Sequence, residues 1–204
     1  MLNKKFKIEK NNKLYSLSKK ELEDFLEIEY ITNLKFEKFS YFENIKKRCA
    51  NAAKEGYISK EILWHGIFYE KEISTNTHLD LLIKWINPIK EYGLFASNDL
   101  KKRTFIGEYL GLVRKYNKKI DDKNAYCFEY NIGYKKTPYT IDAREKGSLI
   151  RFVNHSDKPN ISPLAVLHNG IIHIIFRTNR DVKKNEELTY DYGPNYWSRR
   201  EKPN

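Results

Sequence analysis

From about Leu81 onward, the apolar residues of this 204-residue chain come in short runs, each stopped by turn-forming residues. An amphipathic helix needs apolar positions recurring every three or four residues, whereas short apolar runs between turns read as strands. Residues 105–110, 126–130, 171–176 and 187–190 are strand candidates, and Asn169-Gly170 is a tight-turn dipeptide between strands. No internal repeat or low-complexity linker interrupts the pattern. Residues 81–204 therefore predict one mainly β domain.

The first 80 residues follow the helical period. Ser18-Lys19-Lys20-Glu21 has capping-box form, with Leu22, Phe25 and Leu26 behind it at helical spacing. Ser40-Tyr41-Phe42-Glu43 repeats that signal, placing Phe42, Ile45, Cys49, Ala52 and Ala53 along one face, and Gly56 is expected to stop the helix. A third short helix is expected after Ser59, through Glu61 to Trp64. Each helix has one apolar side, which has to pack against something, most simply the following domain. The expected division is a helical N-terminal region, 1–80, followed by a domain spanning 81–204.

Charge and composition narrow the function classes. The net charge is +11, and residues 86–204 hold 22 Lys and Arg against 14 Asp and Glu, or +8. A basic surface points to a polyanion such as nucleic acid; a Lys-rich composition that keeps the chain soluble is the other reading. No Lys/Arg cluster interleaved with aromatics stands out. No apolar run approaches the roughly 18–20 residues of a membrane span, and the basic start, residues 1–7, lacks the apolar stretch of a secretory signal. An intracellular setting is expected, with delivery by a route needing no cleavable signal left open. The two cysteines, Cys49 and Cys127, have neither metal-ligand spacing nor a disulfide framework. His65, His78, His168 and His173 form no metal motif, so no metal is expected.

Two segments carry chemistry. One is Arg151-Phe152-Val153-Asn154-His155-Ser156-Asp157-Lys158-Pro159-Asn160. The other, some thirty residues later, is Glu186-Glu187-Leu188-Thr189-Tyr190-Asp191-Tyr192-Gly193. In this order and spacing they resemble the two signature segments of SET-domain protein lysine methyltransferases. Tyr139-Thr140-Ile141-Asp142-Ala143-Arg144 and Gly147 follow the family pattern as well, with Asp142 and Arg144 read as structural. Residues 92–96 and 102–111 resemble its opening segment, with one departure: Glu91 stands where the family has the first Gly of Gly-x-Gly, and Gly93 keeps the second. The resemblance covers about residues 90–197, and in its compact, zinc-free form it is closer to prokaryotic or viral members.

The resemblance implies an α+β architecture: a mainly β SET fold of short strands with a C-terminal pseudoknot, preceded by the helical region. It implies S-adenosylmethionine as methyl donor, S-adenosylhomocysteine as product and a protein lysine as acceptor, on a histone or another chromatin or DNA-packaging protein. Donor-binding residues would be Glu91, Tyr92, Gly93, Tyr126, Asn154, His155 and Tyr192. Tyr192 would be central to catalysis, with Tyr190 and Tyr126 beside the lysine channel. A phenol at 190 takes space from an already methylated nitrogen, which implies mainly mono- or dimethylation. Tyr196 and Trp197, in the stretch Asn195-Tyr196-Trp197-Ser198-Arg199-Arg200, are expected to close the pocket. Asp121, Asp122, Glu129, Asp157, Glu186 and Glu187 are candidate acids for drawing a basic substrate to a basic domain. Two other classes remain: an inactive SET-fold scaffold, and a nucleic-acid-binding protein whose affinity would fall steeply with salt.

Overall fold

The computed structural model describes residues 5–75 and 79–200; the first four residues of the basic leading segment, and His78, lie outside the described residues. The chain opens with a hairpin that the helical reading of this region did not anticipate. β1 (Phe6–Lys10) and β2 (Lys13–Leu17) pair antiparallel about Asn11 and Asn12, whose φ values of 52° and 59° give the left-handed turn. α1 (Lys19–Leu26) then starts as the sequence predicts: Ser18 Oγ accepts from Glu21 N at 3.4 Å, and Glu21 Oε2 accepts from Ser18 N at 2.7 Å.

β3 (Glu29–Tyr30) and β4 (Lys35–Phe36) lead into α2 (Phe39–Lys54). That helix begins ahead of the Ser40 box, which falls inside its first turn. Its cap residue is Lys38, which makes no side-chain capping bond. Ring packing marks the entry instead, with Phe42 lying 5.1 Å from Phe36 and 6.0 Å from Phe39. The helix ends as predicted at Gly56, whose φ is 75°. Tyr57 N donates to Ala52 O at 2.8 Å and Gly56 N to Ala53 O at 3.3 Å, so a Schellman pair closes the last turn. α3 (Lys60–Phe68), capped by Ser59, runs a full turn beyond Trp64, and α4 (Glu70–Thr75) follows after one residue.

The remainder is β-rich. β5 (Leu81–Asn87), β6 (Glu91–Ala96), β7 (Phe105–Glu108) and β8 (Leu112–Lys115) come first, then the short α5 (Lys118–Asp121). β9 (Cys127–Glu129), β10 (Tyr139–Asp142) and β11 (Lys146–Gly147) precede a 3-10 turn, Leu149–Phe152. β12 (Asn154–His155), β13 (Ile161–His168), β14 (Ile171–Thr178), β15 (Glu187–Tyr190) and α6 (Pro194–Trp197) complete the chain. Asn169 and Gly170, both at positive φ, turn β13 into β14 as predicted.

The strands form sheets ordered β12-β15-β6-β5-β1-β2, β4-β8-β10-β9, β13-β14-β7 and β11-β3. The fold is α+β, with the helices ahead of a β-rich region. The N-terminal region also supplies strands to three of those sheets, so it is stitched into the whole. β1 runs parallel to β5, across the expected boundary at residue 80. One apolar core joins Ile8, Leu22 and Ile45 to Ile83, Ile141 and Leu188, all fully buried. Each such side chain contributes about 1.5–3 kcal/mol by leaving water. No described helix is long and apolar enough to cross a membrane.

Candidate functional site

The two motif segments lie side by side. β12 pairs parallel with β15, setting Asn154 opposite Thr189 and His155 opposite Tyr190, and β15 pairs antiparallel with β6. The buried Asn160 fastens this joint. Its Nδ2 donates to Glu187 O at 2.8 Å and Glu186 Oε1 at 2.9 Å, while its Oδ1 accepts from Thr189 N at 2.9 Å. Asn154 Nδ2 donates to Glu187 Oε1 at 2.9 Å and Tyr92 O at 3.3 Å, tying β12 to β6. His155 Nδ1 accepts from Tyr192 N at 3.2 Å. The other ring nitrogen, Nε2, faces Asp157 Oδ1 at 3.2 Å.

Tyr192 follows β15 and donates its phenol proton to Val153 O at 3.0 Å. Its ring stands 4.7 Å from Tyr190, 4.5 Å from Tyr196 and 5.9 Å from a nearly parallel Trp197. Burial, reinforced by neighbouring phenols, pushes the Tyr190 and Tyr192 hydroxyls well above the ordinary phenol value near 10. Both keep their protons at neutral pH. Tyr126 comes just before β9, its ring 4.0 Å beneath the Arg151 guanidinium. Arg151 donates through Nε to Ala143 O at 2.7 Å, and burial lowers its pKa from the usual arginine value.

Two cavities meet at Tyr192. One, of about 880 Å³, is lined by Glu91, Tyr92, Tyr126, Asn154, His155 and Tyr192, with Arg151 and Trp197 completing the wall. The other, of about 400 Å³, is lined by Phe128, Glu129, Tyr190 and, again, Tyr192. Tyr192, Tyr196 and Arg200 border both. Six of the eight expected site residues thus line the larger cavity, and Tyr190 faces the smaller one. Gly93 sits behind the wall, where an added Cβ would come 2.6 Å from Ile86 Cδ1 and 2.9 Å from Glu187 Oε1. Glu91, at φ 54°, holds the left-handed backbone that glycine adopts without strain. A further cavity of about 710 Å³, beside Arg114 and Arg144, shares none of these rings.

A buried ion cluster underlies the site. Arg114 pairs with Asp121 at 2.5 Å and Asp142 at 2.7 Å, which raises its pKa above the ordinary value, chiefly through the bond to Asp121. Asn124 bonds Asp142 Oδ1 at 2.8 Å and accepts from Tyr126 N at 3.0 Å. Arg200 Nη2 donates to Asp121 O at 2.9 Å and Asn124 O at 2.8 Å, anchoring the end of the chain that carries Tyr196 and Trp197. Asp142 is structural, as read from the sequence. Asp121 is consumed here, and Glu186 by Arg180 at 2.5 Å, so neither is available to a substrate. Glu129 lines the smaller cavity, with Arg199 at 3.6 Å.

Sequence reasoning passed over Arg151 as a site builder and took Glu187 only as a candidate acid for drawing a substrate; it missed Tyr109 and Arg200. The first two stand inside the motifs and were open to notice. Tyr109, whose phenol donates to Tyr126 O at 2.7 Å, is one of fifteen tyrosines. Arg200 grips backbone carbonyls, which carry no residue identity for a motif to register.

Comparison with known proteins gives concordant matches. The SET domain profile matches residues 91–193. N-lysine methyltransferase KMT5A of Xenopus tropicalis is 35% identical over 112 residues, covering 51% of this chain and 33% of that protein. Histone-lysine N-methyltransferase Set8 of Drosophila melanogaster is 33% identical over 112 residues, covering 51% and 16%. Histone-lysine N-methyltransferase SETD2 of Homo sapiens is 36% identical over 107 residues, covering 50% and 4%. The chain spans a third or less of the length of these relatives. A solved structure of KRYPTONITE with mCHH DNA, an H3(1-15) peptide and SAH matches at 28% identity and a TM-score of 0.48, over 57% of this chain and 24% of that one.

Proposed function

Since the chain belongs to the SET-domain family, we propose that it methylates the side-chain amine of protein lysine with S-adenosylmethionine, and that its substrate is a histone or another chromatin or DNA-packaging protein. The observation that carries this is the meeting of two cavities at one half-buried, proton-retaining tyrosine, Tyr192.

The residues of the larger cavity fit the donor. Tyr92, Tyr126 and Trp197 offer flat apolar faces for an adenine ring, while Glu91 and Arg151 offer opposite charges for an amino-acid end. Gly93, behind the wall, lets Ile86 and Glu187 pack where a Cβ would clash. Asn154, His155 and Tyr192 would hold the donor with them. When bound, S-adenosylmethionine supplies an electrophilic methyl group on a sulfonium.

The lysine would enter from the smaller cavity, and the surrounding residues prepare it. A lysine of pKa about 10.4 is neutral roughly once in a thousand molecules at pH 7.4, a cost of about 4 kcal/mol. Walls built from Phe128, Tyr190 and Tyr192 disfavour the ammonium and reduce that cost. Tyr192 is no general base: its proton is held too tightly and is already donated to Val153 O. It orients the amine through its oxygen lone pairs. Tyr190, packed 4.9 Å from Phe176, restricts space beside the amine, so the expected products are mono- and dimethyl-lysine. Glu129 is the carboxylate placed to meet a basic residue flanking the target. Residues 81–204 form the catalytic unit in this reading, with 1–80 packed onto it.

Labelled donor offered with core histones, a basic DNA-packaging protein and a cell lysate tests the reading. Label should appear on lysine, and Tyr192→Phe should lower the rate by about 10²–10³-fold, as loss of a positioned polar group does in other sites. Product dominated by trimethyl-lysine would overturn the degree. No transfer despite donor binding would favour a scaffold. Absence of donor binding together with salt-sensitive DNA affinity would favour a nucleic-acid-binding protein.

A further inference from the structure

We infer that α3 is the contact face of a two-fold dimer of this chain, formed by antiparallel packing of the helix on its copy. This rests on nothing in the methyl-transfer reading.

The inner side of α3 is already committed. The Gly66 backbone is pressed against the Leu167 carbonyl of β13, so closely that no side chain fits between them, and His65 Nε2 lies 3.2 Å from Arg177 Nη1. The outer side is apolar too. Leu63, Trp64, Ile67 and Phe68 form a continuous stripe, with exposures of 39%, 56%, 75% and 57%. Trp64 and Phe68 stack at 4.9 Å and 19°, presenting one broad surface. A helix apolar on both sides is the pattern of a helix covered on both sides. Elsewhere, exposed apolar residues such as Leu14 and Ile89 have no exposed large apolar neighbour in sequence, which is ordinary for a protein surface.

Charge identifies what covers it. The chain carries +11, so a second copy approaching through most faces meets its own sign. The α3 stripe is an exception. Exposed Lys60 and Glu61 flank its start, with Glu61 3.9 Å from His65, and exposed Glu70 and Lys71 its end, two exposed charges of each sign beside a half-buried Glu72. In an antiparallel pair, Lys60 and Glu61 of one copy come beside Glu70 and Lys71 of the other, at both ends. The apolar stripe then meets itself, the self-complementarity that a two-fold interface requires. A nucleic acid would need a net positive stripe, and a basic peptide a net negative one. The helix spans only about 14 Å, so the contact is smaller than a standard stable interface and the dimer should form with rising concentration.

Sedimentation equilibrium of the full chain over a wide concentration range tests this. The average mass should climb from 24.4 kDa toward twice that value. Ile67→Glu, at an exposed position where folding should survive, should weaken association by about tenfold or more, with the circular dichroism spectrum unchanged. Lys60→Glu should also weaken it, and adding Glu70→Lys to that variant should restore it. A chain that stays monomeric throughout overturns the inference, as does a dimer indifferent to Ile67→Glu or a charge exchange that restores nothing.

Discussion

The two walls around Tyr192 are held by different physics. On one side, β6, β12 and β15 are knit by backbone pairing, and three polar motif side chains close across the joint: Asn154 on Glu187 and Tyr92 O, Asn160 on Thr189 N, His155 on Tyr192 N. On the other, the four-residue α6 has no side-chain cap. Ring contacts hold it, with His155 and Trp197 4.8 Å apart, together with two bonds from Arg200, one to the last carbonyl of α5 and one to the loop after it. Backbone pairing fixes position, whereas ring stacking and one guanidinium fix it more loosely and reversibly. The strand wall should therefore govern stability and chemistry together, and the ring wall should govern entry and retention of ligands.

The largest expected effect breaks the strand wall. Asn154→Ala removes at once the Nδ2 donor that serves both the Glu187 carboxylate and Tyr92 O, in two half-buried residues. Each unpaired buried group costs on the order of 1–3 kcal/mol. Urea unfolding should show a loss in that range, and calorimetry should show donor affinity falling with it. Stability unchanged alongside lost affinity would mean that the side chain serves only the ligand, and the contrast between the walls would fail.

The strand wall was also the legible one. Asn154, His155 and Tyr192 could be read because their bonds depend on residue type and run between two short segments at fixed spacing. β1 was harder, although Phe6-Lys7-Ile8-Glu9 alternates and Asn11-Asn12 marks a turn. Its partner β5 lies some seventy positions away, beyond any local pattern. At α2, Ser40 imitated a cap while Phe36 and Phe42 packed at the actual entry. Glu91 was read as a departure from a glycine; its positive φ shows what that glycine position demands of the backbone. The ring wall announced Tyr196 and Trp197 as aromatics near the end of a motif but gave no sign of Arg200.

An intermediate effect follows from loosening the ring wall alone. Arg200→Ala frees the end of α6 from Asp121 O and Asn124 O without touching a strand. Loss of interactions worth about 1 kcal/mol should raise the donor KM by roughly five- to tenfold, with kcat almost unchanged and the unfolding midpoint moved little. Deletion of residues 195–204 removes the rings as well and should weaken donor binding further. Full donor affinity in that deletion would show that the wall closes nothing.

The smallest effect sharpens the comparison through pH. Glu186 sits at the start of the strand wall, where Arg180 at 2.5 Å, Lys183 N at 3.0 Å and Asn160 Nδ2 at 2.9 Å hold its pKa at about 2 against an ordinary value of 4.5, with burial opposing. A carboxylate whose folded pKa is lowered stabilises the fold above its unfolded pKa and loses that contribution as pH falls through the folded one. The contribution should be complete above about pH 5 and gone near pH 2. Because Arg180 is half exposed and water screens the pair, it amounts to about 1 kcal/mol. Urea midpoints of the wild type and Glu186→Gln should differ by that much at pH 7 and converge as pH approaches 2. Donor KM, set mainly by the other wall, should hardly respond. If the gap instead persists at pH 2, Glu186 acts through the shape of its bond to Asn160 rather than through charge, and the strand wall is held by neutral hydrogen bonds alone.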